Sequence, residues 1–402
     1  MAIAIHNTHL IDGAGAVIEH ASVVIRGSAI AAVGTSKDLV IPQGATRVDG
    51  RGLTLLPGLI DCHVHLCLGG EPDVIEALAR ETPSFNLLKS SRAARHTLEA
   101  GFTTVRDVGA RDHSIFALKQ AIDTGLVPGP RIVGAGLAIC MIGGHARFIG
   151  KEVEGSEQIR EVVRAQIAAG AEVIKVIATG GVLTPGTSPD QAQLTQEELQ
   201  AAVEEAQRGG RKVAAHAHGA SGMKNAIQAG VHSIEHATLM DDDAAILMKR
   251  YGVFMVPTLS ALATTVAHRT GCGVSQSALD KAKAMTKHHQ ASFKKAHHSG
   301  ILIAMGTDAG TPFNFHGENA QELDRMVAFG MTPMEAIVAS TSAAARLLGI
   351  QDQVGTIARG KQADLVLVDG NPLKRIELLQ NRRRIVGVMQ AGKFVSGPLS
   401  KG

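Results

Sequence analysis

Eight short apolar runs, each parted from the next by a helical stretch, constrain this 402-residue chain more than any other feature. They are GLIDCHVHL, TTVRDVG, RIVGAG, VIKVIATGG, KVAAHAHG, SIEHAT, FMVPTL and LIAMGTDAG. Runs of this kind alternating with helices are the pattern of parallel βαβ units. Helix start signals fall between them. Thr195 with Glu198 makes a capping box before ELQAAVEEAQRGG, and Thr332, Pro333 and Glu335 open EAIVASTSAAARLLG. The count predicts an α/β fold, a (β/α)₈ TIM barrel over residues 57–352, in preference to an open doubly wound sheet. A nucleotide-binding sheet would want GxGxxG after its first strand, and that strand ends here in histidines.

The chain ends read differently. IAIHNTHLI, SVVIRG and AIAAVG near the start, with ADLVLVDG and IVGVMQAGKFV near the end, alternate as half-buried antiparallel strands do. Residues 1–56 and 353–402 are therefore expected to pair into one small β-sandwich domain. The basic residues, 40 against 37 acidic, are scattered apart from Arg382 to Arg384, which gives nucleic-acid binding little support. No apolar run is long enough for a signal peptide or a membrane span, so the expectation is a cytoplasmic protein with no membrane partner. Cys62, Cys67, Cys140 and Cys272 lack CxxC spacing and read as reduced packing residues.

Eighteen histidines against no Trp and one Tyr invite a search for metal ligands. In a (β/α)₈ barrel functional groups gather where strands end. His63 and His65 lie two apart on the first strand, so both leave the same face. His216 and His218 repeat that spacing on the fifth, His236 ends the sixth and Asp308 the eighth. Any one alone reads as well as a loop anchor; together they predict a metal centre. Nitrogen and carboxylate donors without thiolate favour Zn²⁺. Lys175 stands in the continuous apolar run VIKVIATGG, where an ammonium is expensive unless neutralised or paired. One reading is a buried salt bridge. The other is a neutral amine that adds CO₂, giving a carbamate whose two oxygens bridge two cations.

These residues, carried on LPGLIDCHVHL, GGH, KVIATGGVLTPG, AHAHG, SIEHA, GTDAG and FHGENAQEL, resemble the amidohydrolase superfamily over nearly the whole chain. Within it the resemblance is to the metallo-dipeptidase and N-acyl-amino-acid hydrolase branch, which includes imidazolonepropionase-like, prolidase-like and ochratoxin-cleaving enzymes. The terminal GTIARGKQADLVLVDGNPL is similar to that family's β-sandwich return strands. The family pattern implies two divalent cations: His63, His65 and Asp308 on the more buried one, His216 and His236 on the more exposed one, and carboxylated Lys175 between them. His218, one step further out than His216, is assigned to the substrate carbonyl or oxyanion, although spacing leaves either histidine as the strand-five ligand. The GGH histidine, His145, is implied as a substrate contact, with a loop hydrogen bonder as the alternative. Some relatives carry a Tyr after AHAHG; here GASGMKNA offers Ser221 instead.

The expected chemistry is amide hydrolysis by a metal-bridging hydroxide, with Asp308 moving the proton and His145 and His218 meeting the oxyanion. Substrates implied by the resemblance are dipeptides or N-acyl amino acids with a free carboxylate, which Arg147 and His316 are candidates to bind. His288, His289, His297 and His298 fall in a Lys-rich helical stretch and are expected to be solvated. The expected assembly is a homo-oligomer whose partner is a small-molecule amide. Lactam, urea, carbamate and lactone hydrolases remain open, as does a non-catalytic assembly protein on the same scaffold.

Overall fold

The structure, a computed structural model, describes residues 2–268 and 271–397. Seven of the eight runs form parallel strands: Leu59–Val64, Phe102–Asp107, Arg131–Gly134, Val173–Ile177, Lys212–Gly219, Ser233–Leu239 and Phe254–Val256. They are called strands one to seven below. The third run breaks. Arg131–Gly134 pairs with strand two, Gly136 turns with φ +71°, and Ala138–Met141 resumes beside strand four. The eighth run forms no continuous ladder, yet it bridges both neighbours, Met255 with Ile303 and Val64 with Ala309. The Cys62 amide donates to Met305 O and the Asp308 amide to His63 O, so the segment still holds strand one in register. Its irregularity has a steric cause. A Cβ on Gly306 would lie 2.4 Å from Val256 Cγ1 and 2.9 Å from His63 Cβ, so bare backbone is squeezed between strands one and seven.

Helices between the strands start where the caps stand. The Thr195 and Thr332 capping boxes both form, opening Gln196–Arg208 and Pro333–Ala339. Ser275 caps the long helix Gln276–His298, whose buried positions Ala278, Ala282, Met285, His289, Ser292 and Ala296 recur at helical spacing. Strand interiors supply Ile174, Val176, Val213, Ala215 and Ile234 to the largest apolar core, against Val163, Leu199, Val203 and Met223 from the helices. Among the described residues no helix is long and apolar enough to cross a membrane, and no disulfide ties the four cysteines.

Both chain ends enter one eight-stranded sheet. It is mixed rather than purely antiparallel. Ala2–Ile11 pairs antiparallel with Val17–Arg26 but parallel with Thr46–Asp49 and Leu53–Pro57, and Leu53–Pro57 pairs antiparallel with Leu365–Asp369. Of the expected terminal unit, residues 1 and 398–402 lie outside the described residues. A buried core of Ile5, Leu10, Val23, Leu55, Leu365 and Leu367 lines the sheet.

One ion pair ties this sheet to the parallel strands. Arg131 at the start of strand three donates to Asp364 Oδ2 at 2.9 Å and to Thr104 Oγ1 at 2.8 Å. The Asp364 side chain is 2% exposed and also accepts from the Ala391 amide at 2.7 Å. Removing the guanidinium strands a buried carboxylate. Arg131→Met is expected to lower the unfolding free energy by about 3 kcal/mol in urea titrations; a loss under about 1 kcal/mol would rank the pair with exposed ones.

Candidate metal centre

The period of two on strand one sends His63 and His65 to the same side, and both are buried. Asp308 Oδ1 stands 3.4 Å from His63 Nε2 and 3.3 Å from His65 Nε2. The other nitrogen of each ring is already committed. His63 Nδ1 meets Glu235 Oε2 at 2.7 Å, and His65 Nδ1 donates to Gly109 O at 2.8 Å. This is the arrangement by which a protein orients an imidazole ligand and selects its tautomer.

A second set faces the first. Donor atoms of His216, His218 and His236 lie within 4.8 Å of one another, as do those of His63, His65 and Asp308. His218 thus joins the group it was expected to stand outside, and its ring stacks on His236 at 4.7 Å. The rings of His63 and His236 are 5.0 Å apart, which joins the two sets. Again each ring is held from behind: His216 Nε2 donates to Gly180 O at 3.1 Å, His218 Nδ1 meets Thr238 Oγ1 at 2.8 Å, and His236 Nδ1 meets Thr258 Oγ1 at 2.6 Å. His216 therefore presents Nδ1 to the site, whereas His218 and His236 present Nε2.

Electrostatics suit ligation. Burial lowers His63 to about 4 and takes His216, His218 and His236 well below the usual imidazole value, so these rings are neutral and offer a lone pair or a single N–H to the site according to tautomer. Burial alone would raise Asp308, but His63 and His65 outweigh it and hold it below its ordinary value. Lys175 on strand four is 2% exposed, and among the described residues its Nζ has no hydrogen-bond partner. The buried-salt-bridge reading therefore fails. Burial pushes the amine down to about 8, which makes the neutral form accessible near neutral pH. A partnerless buried amine beside two donor sets fits a site completed by added carboxylate oxygens and two cations.

Backbone conformation is unusual at the same atoms. His236, Ala237, Thr258 and Asp308 all have φ between 51° and 72°, a region that non-glycine residues adopt at a cost of about 1–3 kcal/mol each.

The remaining expectations divide. His145 reaches the site, its ring 4.5 Å from His216 and its Nδ1 2.8 Å from Thr184 Oγ1. Arg147 is exposed, donates to Gly143 O at 3.3 Å and faces a neighbouring pocket instead. His316 lies outside the site lining too. It spends Nε2 on the carbonyls of His65 and Leu68, at 3.2 and 3.0 Å, and anchors the loop after Asp308. Ser221 is exposed on the helix Ala220–Ala229 and does not line the site. His289, expected in solvent, is 2% exposed, lines the pocket and meets Pro257 O at 2.6 Å. Its place on the buried stripe of Gln276–His298 was the available signal.

The most consequential group not anticipated is the buried pair beneath His63. Arg106 Nη2 reaches Glu235 at 2.8 and 3.0 Å, while Arg106 Nε donates to Cys62 O at 2.6 Å. Burial would raise the Glu235 carboxyl, yet Arg106, His63 and Lys175 together hold it well below the carboxylate range.

The amidohydrolase family profile matches residues 54–395. The chain belongs to the amidohydrolase family. An ochratoxinase of Aspergillus niger is 34% identical over 422 residues, covering 97% of this chain and 85% of that one. Its crystal structure superposes with a TM-score of 0.87 at 31% identity over 99% and 96% of the two chains. A Xaa-Pro dipeptidase solved with methionine in its active site superposes at 0.91, with 36% identity over 99% and 100%. An imidazolonepropionase of Shouchella clausii is 25% identical over 415 residues, covering 94% and 86%. This amidohydrolase is accordingly a hydrolytic enzyme on a TIM-barrel fold, in a family that generally uses divalent metals.

The role of Glu235 is open to direct test. Glu235→Gln keeps the shape but removes the charge that orients His63. Metal affinity, read by chelator competition, is expected to fall about 10–100-fold. Parental zinc retention in a folded variant would contradict the assignment.

Proposed function

We propose that this amidohydrolase cleaves the amide bond of dipeptides or N-acyl amino acids, aryl amides such as ochratoxin included, at a two-metal centre. The observation that carries the reading is Lys175, a buried amine that has no hydrogen-bond partner among the described residues and lines the same pocket as both donor sets. Relatives named as an ochratoxinase and a Xaa-Pro dipeptidase support the substrate class. In this reading residues 57–352 are the hydrolase barrel, and 1–56 with 353–402 the appended β-sandwich.

His63, His65 and Asp308 would hold one cation, His216 and His236 the other, with carboxylated Lys175 shared between them. Zinc suits these donors. Such a pair supplies an activated water near neutral pH and polarises the scissile carbonyl. The protein does the rest. Asp308 accepts the proton released from the water and hands it to the leaving nitrogen, which cannot depart as an anion. His145 and His218, with Nδ1 accepting from the Thr184 and Thr238 hydroxyls, would offer Nε2–H to the place where oxyanion charge develops. Leu68, Val108, Phe148, Ile149, Val182 and Leu262 line the pocket and exclude water, which strengthens every charge interaction inside it.

The protein is expected to carry close to two metal equivalents per chain; elemental analysis finding one at most, after zinc and bicarbonate reconstitution, would contradict the reading. Lys175→Ala should lose both activity and metal. Acetate or propionate, entering the vacated space with two oxygens, should partly restore both. Absence of any restoration across those titrations would remove Lys175 from the centre.

A further inference from the structure

The helix Gln276–His298 carries a lysine whose three donors are all spent on one loop. Lys281 Nζ lies 2.6 Å from Thr187 O, 3.2 Å from Thr184 O and 3.3 Å from Gly181 O. No carboxylate pairs with it among the described residues, and its neighbours on the helix, Ala278, Leu279, Ala282 and Met285, pack with Val182 and Leu262 into an apolar cluster. A half-buried ammonium that directs its donors at three backbone carbonyls of one loop is unusual placement for a lysine, since a fully exposed lysine needs no such partners. Charge-assisted bonds of this kind are roughly twice as strong as neutral ones.

The loop it grips is the one that seats two histidines of the site. Gly180 O accepts from His216 Nε2 at 3.1 Å, and Thr184 Oγ1 meets His145 Nδ1 at 2.8 Å. Within the loop Thr187 Oγ1 ties the turn together, 3.3 Å from both the amide and the carbonyl of Gly181 and 3.1 Å from Thr184 O. The tolerance is small: a Cβ on Gly181 would stand 2.3 Å from His145 Nε2. A drift of the loop therefore moves the ring of His145 and the oxygen that orients His216 together.

We propose that Lys281 is a positioning residue, a cationic clamp that locks residues 180–187 and through them sets the rings of His145 and His216. Its effect on turnover rests on the two-metal hydrolase reading; its effect on the loop and on metal retention does not depend on the substrate. Without the clamp, His216 loses a fixed partner behind the ring and His145 loses its aim, while strands four and five stay intact.

The test compares the zinc-loaded parent with Lys281→Met, Lys281→Arg and, as a control for charge loss on an exposed position of the same helix, Lys283→Met. In Lys281→Met one zinc equivalent is expected to pass to a competing chelator at about 10–100-fold lower chelator strength, the other staying as in the parent. Amide exchange should quicken at 180–188 and 144–146 and stay unchanged elsewhere. On an amide the parent cleaves, kcat should fall about 10–100-fold with KM changed far less. Lys281→Arg, which keeps the charge and donors, should recover most of each loss, and Lys283→Met should match the parent. A parent inactive on every amide would overturn the hydrolase reading and leave the chelator and exchange results to decide the clamp. Lys281→Met with parental zinc retention and loop exchange overturns the clamp. Exchange that rises evenly over the whole chain overturns it as well, by assigning Lys281 to global stability.

Discussion

The site is organised around a pair of charges that no solvent reaches. Arg106 from strand two and Glu235 from strand six are 2% and 0% exposed, and between them they bind Cys62 O, Ser233 Oγ and His63 Nδ1. Such a pair is weak evidence for stability, because desolvation takes back most of its attraction. Its value is geometric. Strands one, two and six are held at one depth, and His63 is turned so that only Nε2 faces Asp308. A hydrophobic replacement of equal volume would leave the core filled and the imidazole free to rotate.

The same logic extends to the outer set of histidines, where backbone strain replaces buried charge. His236 and Thr258 sit in left-handed conformations, and Thr258 orients His236 from the start of the helix Leu259–Ala267. That helix start is held by Glu322, whose oxygens accept from the Leu259 and Ser260 amides, both at 2.7 Å. Burial raises the Glu322 carboxyl to about 7, so the bonds that secure the strained turn must offset a sizeable desolvation penalty. Strain of this size persists only where surroundings over-determine it. Here the surroundings are hydrogen bonds directed at one imidazole.

Much of this was legible in the sequence, and what was not has identifiable causes. HxH on strands one and five, Lys175, His236 and Asp308 stood out because a polar residue in an apolar strand is conspicuous and strand ends are where barrels work. Arg106 in TTVRDVG and Glu235 in SIEHAT were equally anomalous, but a single arginine and a single glutamate far apart in the chain do not announce each other. His289 was hidden by its neighbours: the lysines around it lie on the solvated face of a helix whose buried stripe passes through it. The third strand breaks at Gly136, where a Cβ would stand 2.4 Å from Gln166 Oε1, and the eighth is irregular at Gly306 between strands one and seven; both depend on contacts that appear only once the neighbouring elements are in place. Arg147, two residues from His145, turns into the next pocket because Ala146 between them adopts a left-handed φ of 61°.

That reversal bears on how a substrate is selected. Among the described residues that line the site, Lys175 is the sole lysine or arginine, and the reading above commits it to the metals. A carboxylate on the substrate would then meet the imidazoles of His145 and His218 rather than a guanidinium fork, since His289 spends its one N–H on Pro257 O. Neutral imidazoles donate one hydrogen bond each and add little Coulombic attraction, so they distinguish carboxylate from carboxamide only weakly. Shape and apolar contact then carry more of the discrimination. Phe148, Ile149, Val182, Leu183 and Leu262 offer that contact, at about 25 cal/mol for each Å² of apolar surface removed from water. On the amide-hydrolase reading proposed above, such a lining would favour bulky apolar groups beside the scissile bond over a sharp demand for a free carboxylate.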